Sequence, residues 1–234
     1  MNQRVFDIYA EKYDGWFLKN MAVLESEVAL YAYFLKQPGH ALSIGCGSGL
    51  FEMLVQREYG IHINEGLEPS NAMADIARKR GLKVRIGTAE ARNYEQDSFD
   101  TVIFNGSPSY IIHLKQAFNE ACRILKTNGF ILVLDVPKES SYALLYSLAK
   151  VLKTWDDPLL HGVQPQNPYP IEFVKDANWR TTEEKIALLR QAGFDHFRFA
   201  QTLTRHPLYS NEEKEEPVEG YDRGDYVAIY GRKI

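Results

Sequence analysis

Residues 42–49 read LSIGCGSG, with glycine at every second position (Gly45, Gly47, Gly49) between a short β-like run and a helical pattern. Such a loop lets the backbone turn sharply and lets a ligand approach with no Cβ in the way. The helix behind it offers free N–H groups and the positive end of its dipole, which suits a phosphate or a carboxylate. Strand, loop and helix in that order open an α/β unit, and the chain continues in the same manner. β-like runs at 40–45 (HALSIG), 61–68 (IHINEGLE), 83–87 (KVRIG), 100–105 (DTVIFN) and 130–136 (FILVLDV) alternate with helical patterns at 50–59, 70–80 and 114–126. In the last of these, Leu114, Ala117, Phe118, Ala121, Cys122 and Leu125 share a stripe, and Gly129 is the expected stop. Alternation of this kind requires crossover connections, hence an α/β fold with a mostly parallel sheet and helices on both faces.

Two further runs, 196–203 (HFRFAQTL) and 226–231 (YVAIYG), bring the expected strands to seven. The segment between them, 204–225, carries Pro207, Pro217 and the acidic cluster at 212–216, and reads as a long solvated loop. Without a crossover helix, the final strand is expected to pair antiparallel, as a hairpin at the sheet edge. An aromatic amphipathic stretch spans about 4–18 and a second helix about 22–36, before Pro38-Gly39. Residues 137–180 are too long for a plain connection; they hold a helix at 142–152 and the run HGVQPQNPYP, ahead of a helix at 182–192. The chain therefore reads as a single domain over 1–234. Its parts are a helical cap (1–38), a ligand-binding core (39–136), an inserted lid (137–180) and a C-terminal helix with a strand hairpin (181–234).

Composition narrows the function classes. With 45% hydrophobic and 25% charged residues, the 234-residue chain is globular, not disordered. A net charge of -4 argues against a protein that coats nucleic acid. No apolar run reaches the ~18 residues of a membrane span, and the N-terminal residues lack the pattern of a secretory signal. Cys46 and Cys122 stand far apart and the six histidines show no ligand spacing, so no metal site is expected. Without a disulfide framework, the cytoplasm is the expected compartment. The 14 tyrosines help raise the aromatic share to 12%.

The spacing of the glycines is G-x-G-x-G, since Leu50 stands where a dinucleotide fingerprint has its third glycine, and no GxxxxGK[ST] occurs. Glu68 ends the second run, 19 positions after Gly49. An acid at that place can accept both ribose hydroxyls of an adenosine. Pro69 follows, and Ser70 is the expected N-cap of the next helix. Cys46 has small neighbours and no adjacent base, so it reads as a packed residue rather than a nucleophile.

LSIGCGSG, then GLEPSNAMADIARKRG, then GTAEARNYEQDSFDTVIF, resembles the class I S-adenosylmethionine-dependent methyltransferases, in the broad small-molecule (type 11) group, over about residues 5–135. The resemblance implies a Rossmann-like sheet and a donor site drawn from Tyr13, Gly45, Cys46, Gly47, Gly49, Glu68, Pro69, Ala89, Glu90 and Asn105. In it the glycines lie against the methionine part of S-adenosylmethionine, Glu68 binds the ribose, and Ala89-Glu90 flank the adenine. S-adenosylhomocysteine is the implied product. FDIYAEKYDGWF resembles the segment that folds over the donor, bringing Tyr9, Tyr13 or Trp16 close. The tail is similar to that of a prokaryotic subgroup labelled as related to histamine N-methyltransferase. Two departures stand out: Thr88 replaces an Asp common in relatives, and residues 105–110 (NGSPSY) are not the [DN]PP[YF] signature of nucleobase or release-factor methyltransferases.

Methyl transfer from a sulfonium needs alignment, desolvation and, for some acceptors, removal of a proton, so no catalytic triad is required. Tyr110, beyond the fourth strand, and His113 one helical turn later are the candidate catalytic residues. Tyr9, Tyr13, Trp16, Tyr110 and Trp179 are expected to hold a small-molecule acceptor, an amine among the candidates, by cation–π contact under a lid that includes 137–180 and 204–225. No nucleic-acid or membrane partner is expected, and the chain is expected as a monomer or homodimer. The competing readings are a non-catalytic donor-binding sensor or partner subunit, an NAD-dependent oxidoreductase and a nucleic-acid methyltransferase.

Overall fold

Strand order places the site before any side chain does. The computed structural model describes residues 3–234, with side chains from residue 5 onward. Helices α1 (Gln3–Ile8), α2 (Ala10–Lys19) and α3 (Met21–Tyr33) precede β1 (Ala41–Ile44), α4 (Leu50–Tyr59), β2 (Glu65–Glu68), α5 (Asn71–Lys79), β3 (Lys83–Ile86) and β4 (Phe99–Asn105). Then come α6 (Leu114–Ile124), β5 (Leu125–Asp135), α7 (Ser141–Leu152), α8 (Ile171–Asp176), α9 (Thr182–Gln191), β6 (Phe194–Thr202), β7 (Val218–Glu219) and β8 (Tyr226–Lys233). They form one sheet of order β3-β2-β1-β4-β5-β8-β6-β7, parallel from β3 to β5 and antiparallel beyond. The order reverses at β1, between β2 and β4, and open α/β sheets bind ligands at the strand carboxyl ends beside such a reversal.

The strands carry apolar residues on both faces because helices cover both. Ile103, Leu132, Leu134 and Ala228 pack with α3, α4 and α7, whereas their neighbours Val102, Phe104, Ile131, Val133 and Val227 pack with α6 and α9. That is the two-residue period of a pleated strand sorting side chains between two layers. Phe104 meets Phe118 of α6 edge-to-face at 5.4 Å. Local signals hold the helices in register: Ser70 caps α5, and Thr181 with Glu184 forms a capping box on α9.

Four details differ from the sequence expectation. The aromatic stretch is two helices, parted at Tyr9. Gly129 does not stop α6; that helix ends at Ile124, β5 begins at the next residue, and Gly129 sits inside the strand. A side chain there would meet the carbonyl oxygens of Lys126 and Asp100 at 2.9 and 3.0 Å, so the glycine serves strand pairing. The final strand does form the antiparallel hairpin with β6, but it lies between β5 and β6 and not at the edge. The 204–225 segment contributes the short edge strand β7. Among the described residues no helix is long and apolar enough to cross a membrane.

Candidate functional site

At the end of β1 the chain turns through Gly45 (φ +67°) and Gly47 (φ +55°), both in the left-handed region that favours glycine. Gly45 has a second constraint: a Cβ there would lie 2.6 Å from Cβ of Ser107, the residue whose hydroxyl donates to the Ile44 carbonyl and ties the end of β4 to β1. Where a Cβ of Gly47 would project, nothing lies within 4 Å. The Gly45 N–H donates to the Leu67 carbonyl at 2.7 Å, pressing the loop against β2.

Glu68, at the carboxyl end of β2, is 4% exposed. Its two oxygens accept from the Gly47 and Ser70 backbone N–H groups, each at 2.9 Å. Burial pushes its pKa up to about 7 against those two stabilising bonds. Each carboxylate oxygen retains a lone pair for a further donor, so the group suits a diol.

Three adjoining spaces run away from this loop. An outer groove of about 370 Å³ is lined by Gly45, Leu67, Pro69, Thr88, Ala89, Glu90, Ser107 and His113. A small cavity of about 40 Å³ shares Gly45 and Ser107 with it and adds Phe6, Tyr13, Gly47, Glu68, Asn105 and Tyr110. A chamber of about 70 Å³ shares Tyr13, Gly106 and Tyr110 with that cavity. Its remaining wall includes Trp16, Phe17, Glu27, Asp135, Tyr146, Tyr169, Trp179 and Tyr226.

The cap and the insertion meet over these spaces. Phe6 stacks on Phe173 of α8 at 5.0 Å and meets Tyr110 edge-on at 4.9 Å, while Trp16 meets Tyr169 at 4.9 Å. The Trp16 indole N–H donates to the Asn167 carbonyl at 2.9 Å, and Lys12 pairs with Glu172 at 2.8 Å. Polar clips tie the cap to the glycine loop and to both ends of α5 as well. Asp14 accepts from Ser48 Oγ and Arg80, and Asp7 accepts from Ser70 Oγ at 2.6 Å. The insertion is anchored from below by Arg180, which donates to the carbonyls of Pro108 and Ile111, both at 3.0 Å. The 204–225 segment, expected at the same rim, instead braces the cap from outside: Asn211 Oδ1 accepts from the Ala22 N–H, and Ser26 Oγ accepts from the Glu215 N–H. None of its residues lines the small cavity or the chamber.

Most of the expected donor residues thus converge, Tyr13, Gly45, Gly47, Glu68 and Asn105 on the small cavity, Pro69, Ala89 and Glu90 on the groove. Two face elsewhere. Cys46 packs with Ala77 and Leu82, its Sγ lying 2.5 Å from where a Cβ of Gly66 would stand. Gly49 abuts Ala77 and sets the spacing of α4 against α5. Of the candidate catalytic residues, Tyr110 reaches the chamber, and His113 lines only the groove. The Tyr110 hydroxyl donates to that of Tyr169 at 3.4 Å, and burial holds its pKa well above the ordinary value, so it keeps its proton at neutral pH.

Glu27 and Asp135 escape a motif search. Asp135 closes β5, where it accepts from Lys185 Nζ at 2.9 Å and Ser109 Oγ at 2.8 Å; burial raises its pKa, opposed by the lysine and the hydroxyl. Glu27 lies on α3, which is buried nearly all round. The signal for it was present: Val23, Leu24, Glu27, Leu30 and Tyr31 share one helical stripe, and the acid is its only charge.

A family model described as a methyltransferase domain matches residues 42–133. An uncharacterised protein of Methanocaldococcus jannaschii is 32% identical over 231 residues, covering 98% of this chain and 99% of its own. A crystal structure from Thermotoga maritima, described as a SAM-dependent methyltransferase and possible histamine N-methyltransferase, superposes with a TM-score of 0.83 at 32% identity, covering 99% of both chains. The ubiquinone/menaquinone biosynthesis C-methyltransferase of Campylobacter jejuni is 23% identical, over 69% of this chain and 73% of its own. The motif order, the switch-point loop with its clamped carboxylate and the full-length likeness lead to one assignment: the chain belongs to the class I S-adenosylmethionine-dependent methyltransferases.

Proposed function

We propose that this protein transfers a methyl group from S-adenosylmethionine to a small molecule seated in the aromatic chamber, an amine being the acceptor class we favour. The observation that carries the reading is continuity: groove, small cavity and chamber adjoin through Gly45 and Ser107 and then through Tyr13, Gly106 and Tyr110. When bound, the donor supplies a methyl group on a positively charged sulfur. The residues present fit it. Glu68 is fixed by two backbone N–H groups with acceptor capacity to spare for ribose hydroxyls. The open space at Gly47 admits the chain of an amino acid, and Pro69, Ala89 and Glu90 border the groove on the adenine side.

In this reading the protein's contribution is positioning and exclusion of water. Residues 1–38 and 137–180 act as the lid over core residues 39–136. Tyr110 shapes the passage between donor and acceptor without giving up its proton, and His113 belongs to the donor side. The likeness to the Thermotoga maritima protein agrees with an amine. The test is isothermal titration with S-adenosylhomocysteine. Gly47→Arg, whose side chain fills the cradle, should abolish binding by at least ~100-fold, and Glu68→Ala should weaken it by ~10-fold or more, about the worth of a charged hydrogen-bonding pair. Unchanged affinity in both variants would end the reading.

A further inference from the structure

Glu27 is 7% exposed, and among the described residues it has no hydrogen-bond or ion-pair partner. Its side chain lines the chamber, whose lining includes no Lys or Arg. A carboxylate taken out of water is costly unless it is paired, so such groups are held for a partner that arrives later. The second acid of the chamber, Asp135, is already matched by Lys185 and Ser109. Glu27 is therefore the unmatched acid.

The rest of the wall is chemically specific. Tyr13, Trp16, Tyr146, Tyr169, Trp179 and Tyr226 present aromatic rings to the same space. Ring faces attract a cation and offer little to an anion. An acid set among aromatic rings matches an ammonium, where the carboxylate takes one N–H and the rings face the remaining positive surface. The size is limiting too: about 70 Å³ admits a head group of a few non-hydrogen atoms.

We infer that this chamber recognises a compact primary or secondary alkylammonium, with the Glu27 carboxylate as its counterion and proton acceptor and the aromatic wall as its cage. The inference rests on the reading of the chamber as the acceptor site and names its substrate class. A nitrogen must have a free lone pair to be alkylated. As the ammonium enters, Glu27 gives to solvent the proton it holds in the empty chamber. Within the pair one proton then passes from the ammonium nitrogen to a Glu27 oxygen, leaving a neutral amine beside a neutral carboxylic acid, and Glu27 keeps that proton when the chamber empties. Burial pushes the Glu27 pKa up to about 8, which suits a group that must both hold and release that proton at neutral pH. The titratable groups facing it are Tyr13 from α2, Tyr142 and Tyr146 from α7 and Tyr226 from β8, with Asp135 across the chamber; all four tyrosines stay protonated through burial. Glu215 and Asp225 also act electrostatically on Tyr142.

The experiment is calorimetric titration of the S-adenosylhomocysteine-loaded protein with three probes of similar size: propylamine, 1-propanol and propionate. Propylamine should bind at least ten-fold more tightly than the other two. Glu27→Gln, which keeps the shape and removes the charge, should weaken propylamine by ten-fold or more and leave S-adenosylhomocysteine affinity unchanged. Repeating the wild-type titration at pH 7 in buffers of different ionisation enthalpy should show net proton release as the amine cation pairs with an acid that was largely protonated. Equal binding of propanol and propylamine, or undiminished propylamine binding in Glu27→Gln, overturns the inference while the donor site stands. Loss of S-adenosylhomocysteine binding by the wild type would instead overturn the methyltransferase reading. If Glu27→Gln does not fold, the comparison of probes on the wild type decides alone.

Discussion

The two halves of the site each hold a buried glutamate, and they treat it in opposite ways. Glu68 is gripped by two backbone N–H groups that belong to the loop and to the α5 turn, so the fold itself orients it. Glu27 has aromatic neighbours and no donor among the described residues. A backbone clamp serves a ligand whose hydroxyls always occupy the same place. An unclamped acid in an apolar chamber leaves the pairing to the guest. In the proposed reading, the donor half is built for geometry, and the acceptor half is built for charge.

The largest expected effect concerns the ligand-free state. An unfolded chain ionises Glu27 near 4.5, while the folded chain holds the proton to about 8. Between those values the folded state binds the extra proton, so rising pH costs stability by about 1.4 kcal/mol per unit, and the cost levels off above pH 8. Glu27→Gln removes that dependence. The variant should match the wild type near pH 4 and exceed it by up to ~5 kcal/mol at pH 9, read from urea unfolding curves. Other raised carboxylates, Asp225 among them, are common to both proteins and drop out of the difference. Parallel stability profiles would mean that Glu27 is not the unmatched group.

A smaller effect separates the clamped glutamate. Ribose hydroxyls donate to an ionised carboxylate, and Glu68 ionises at about 7. Affinity for S-adenosylhomocysteine should fall as the medium is acidified through that value, by ~10-fold from pH 8 to pH 6, or about 1.4 kcal/mol. Glu68→Gln should flatten the slope and Glu27→Gln should leave it intact. A slope that follows Glu27 instead would merge the two halves into one coupled site.

The smallest effect tests how the lid is held. Lys12 and Glu172 form an ion pair at the rim, with the lysine side chain 51% exposed. Lys12→Ala should change stability by no more than ~0.5 kcal/mol, because solvent screens such a pair. A clearly larger loss in thermal unfolding would show that charge, and not the Phe6, Trp16, Tyr169 and Phe173 contacts, fastens cap to insertion.

These halves were unequally legible in the sequence. LSIGCGSG and Glu68 were readable because the donor site is made by consecutive residues at one strand end and the next, so spacing encodes position. Cys46 and Gly49 belong to the same motif but serve packing behind it, a distinction that spacing does not carry. The chamber gathers Tyr13, Glu27, Asp135, Tyr169 and Trp179 from four helical or irregular segments and a strand end, and only the fold makes them neighbours. The tyrosine surplus pointed to an aromatic lid, but Glu27 sits in a helix that the sequence assigned only to the cap, with no motif to mark it. The place of β8 was hidden for a related reason: a hairpin fixes which strands pair, and says nothing of what lies on the other side.

That position of β8 bears on how the protein is made. β6 emerges from the ribosome before β8, yet β8 is what joins it to β5. During vectorial synthesis the parallel half can assemble from β1 to β5 while β5 keeps an open edge and β6 has only the two-residue β7 to pair with, the kind of exposed edge that invites association between chains. Tyr226, which walls the chamber and donates to Asn105 of β4 at 2.9 Å, arrives with that same strand. The donor loop is thus complete early in translation, and the acceptor chamber closes only when the sheet is sealed.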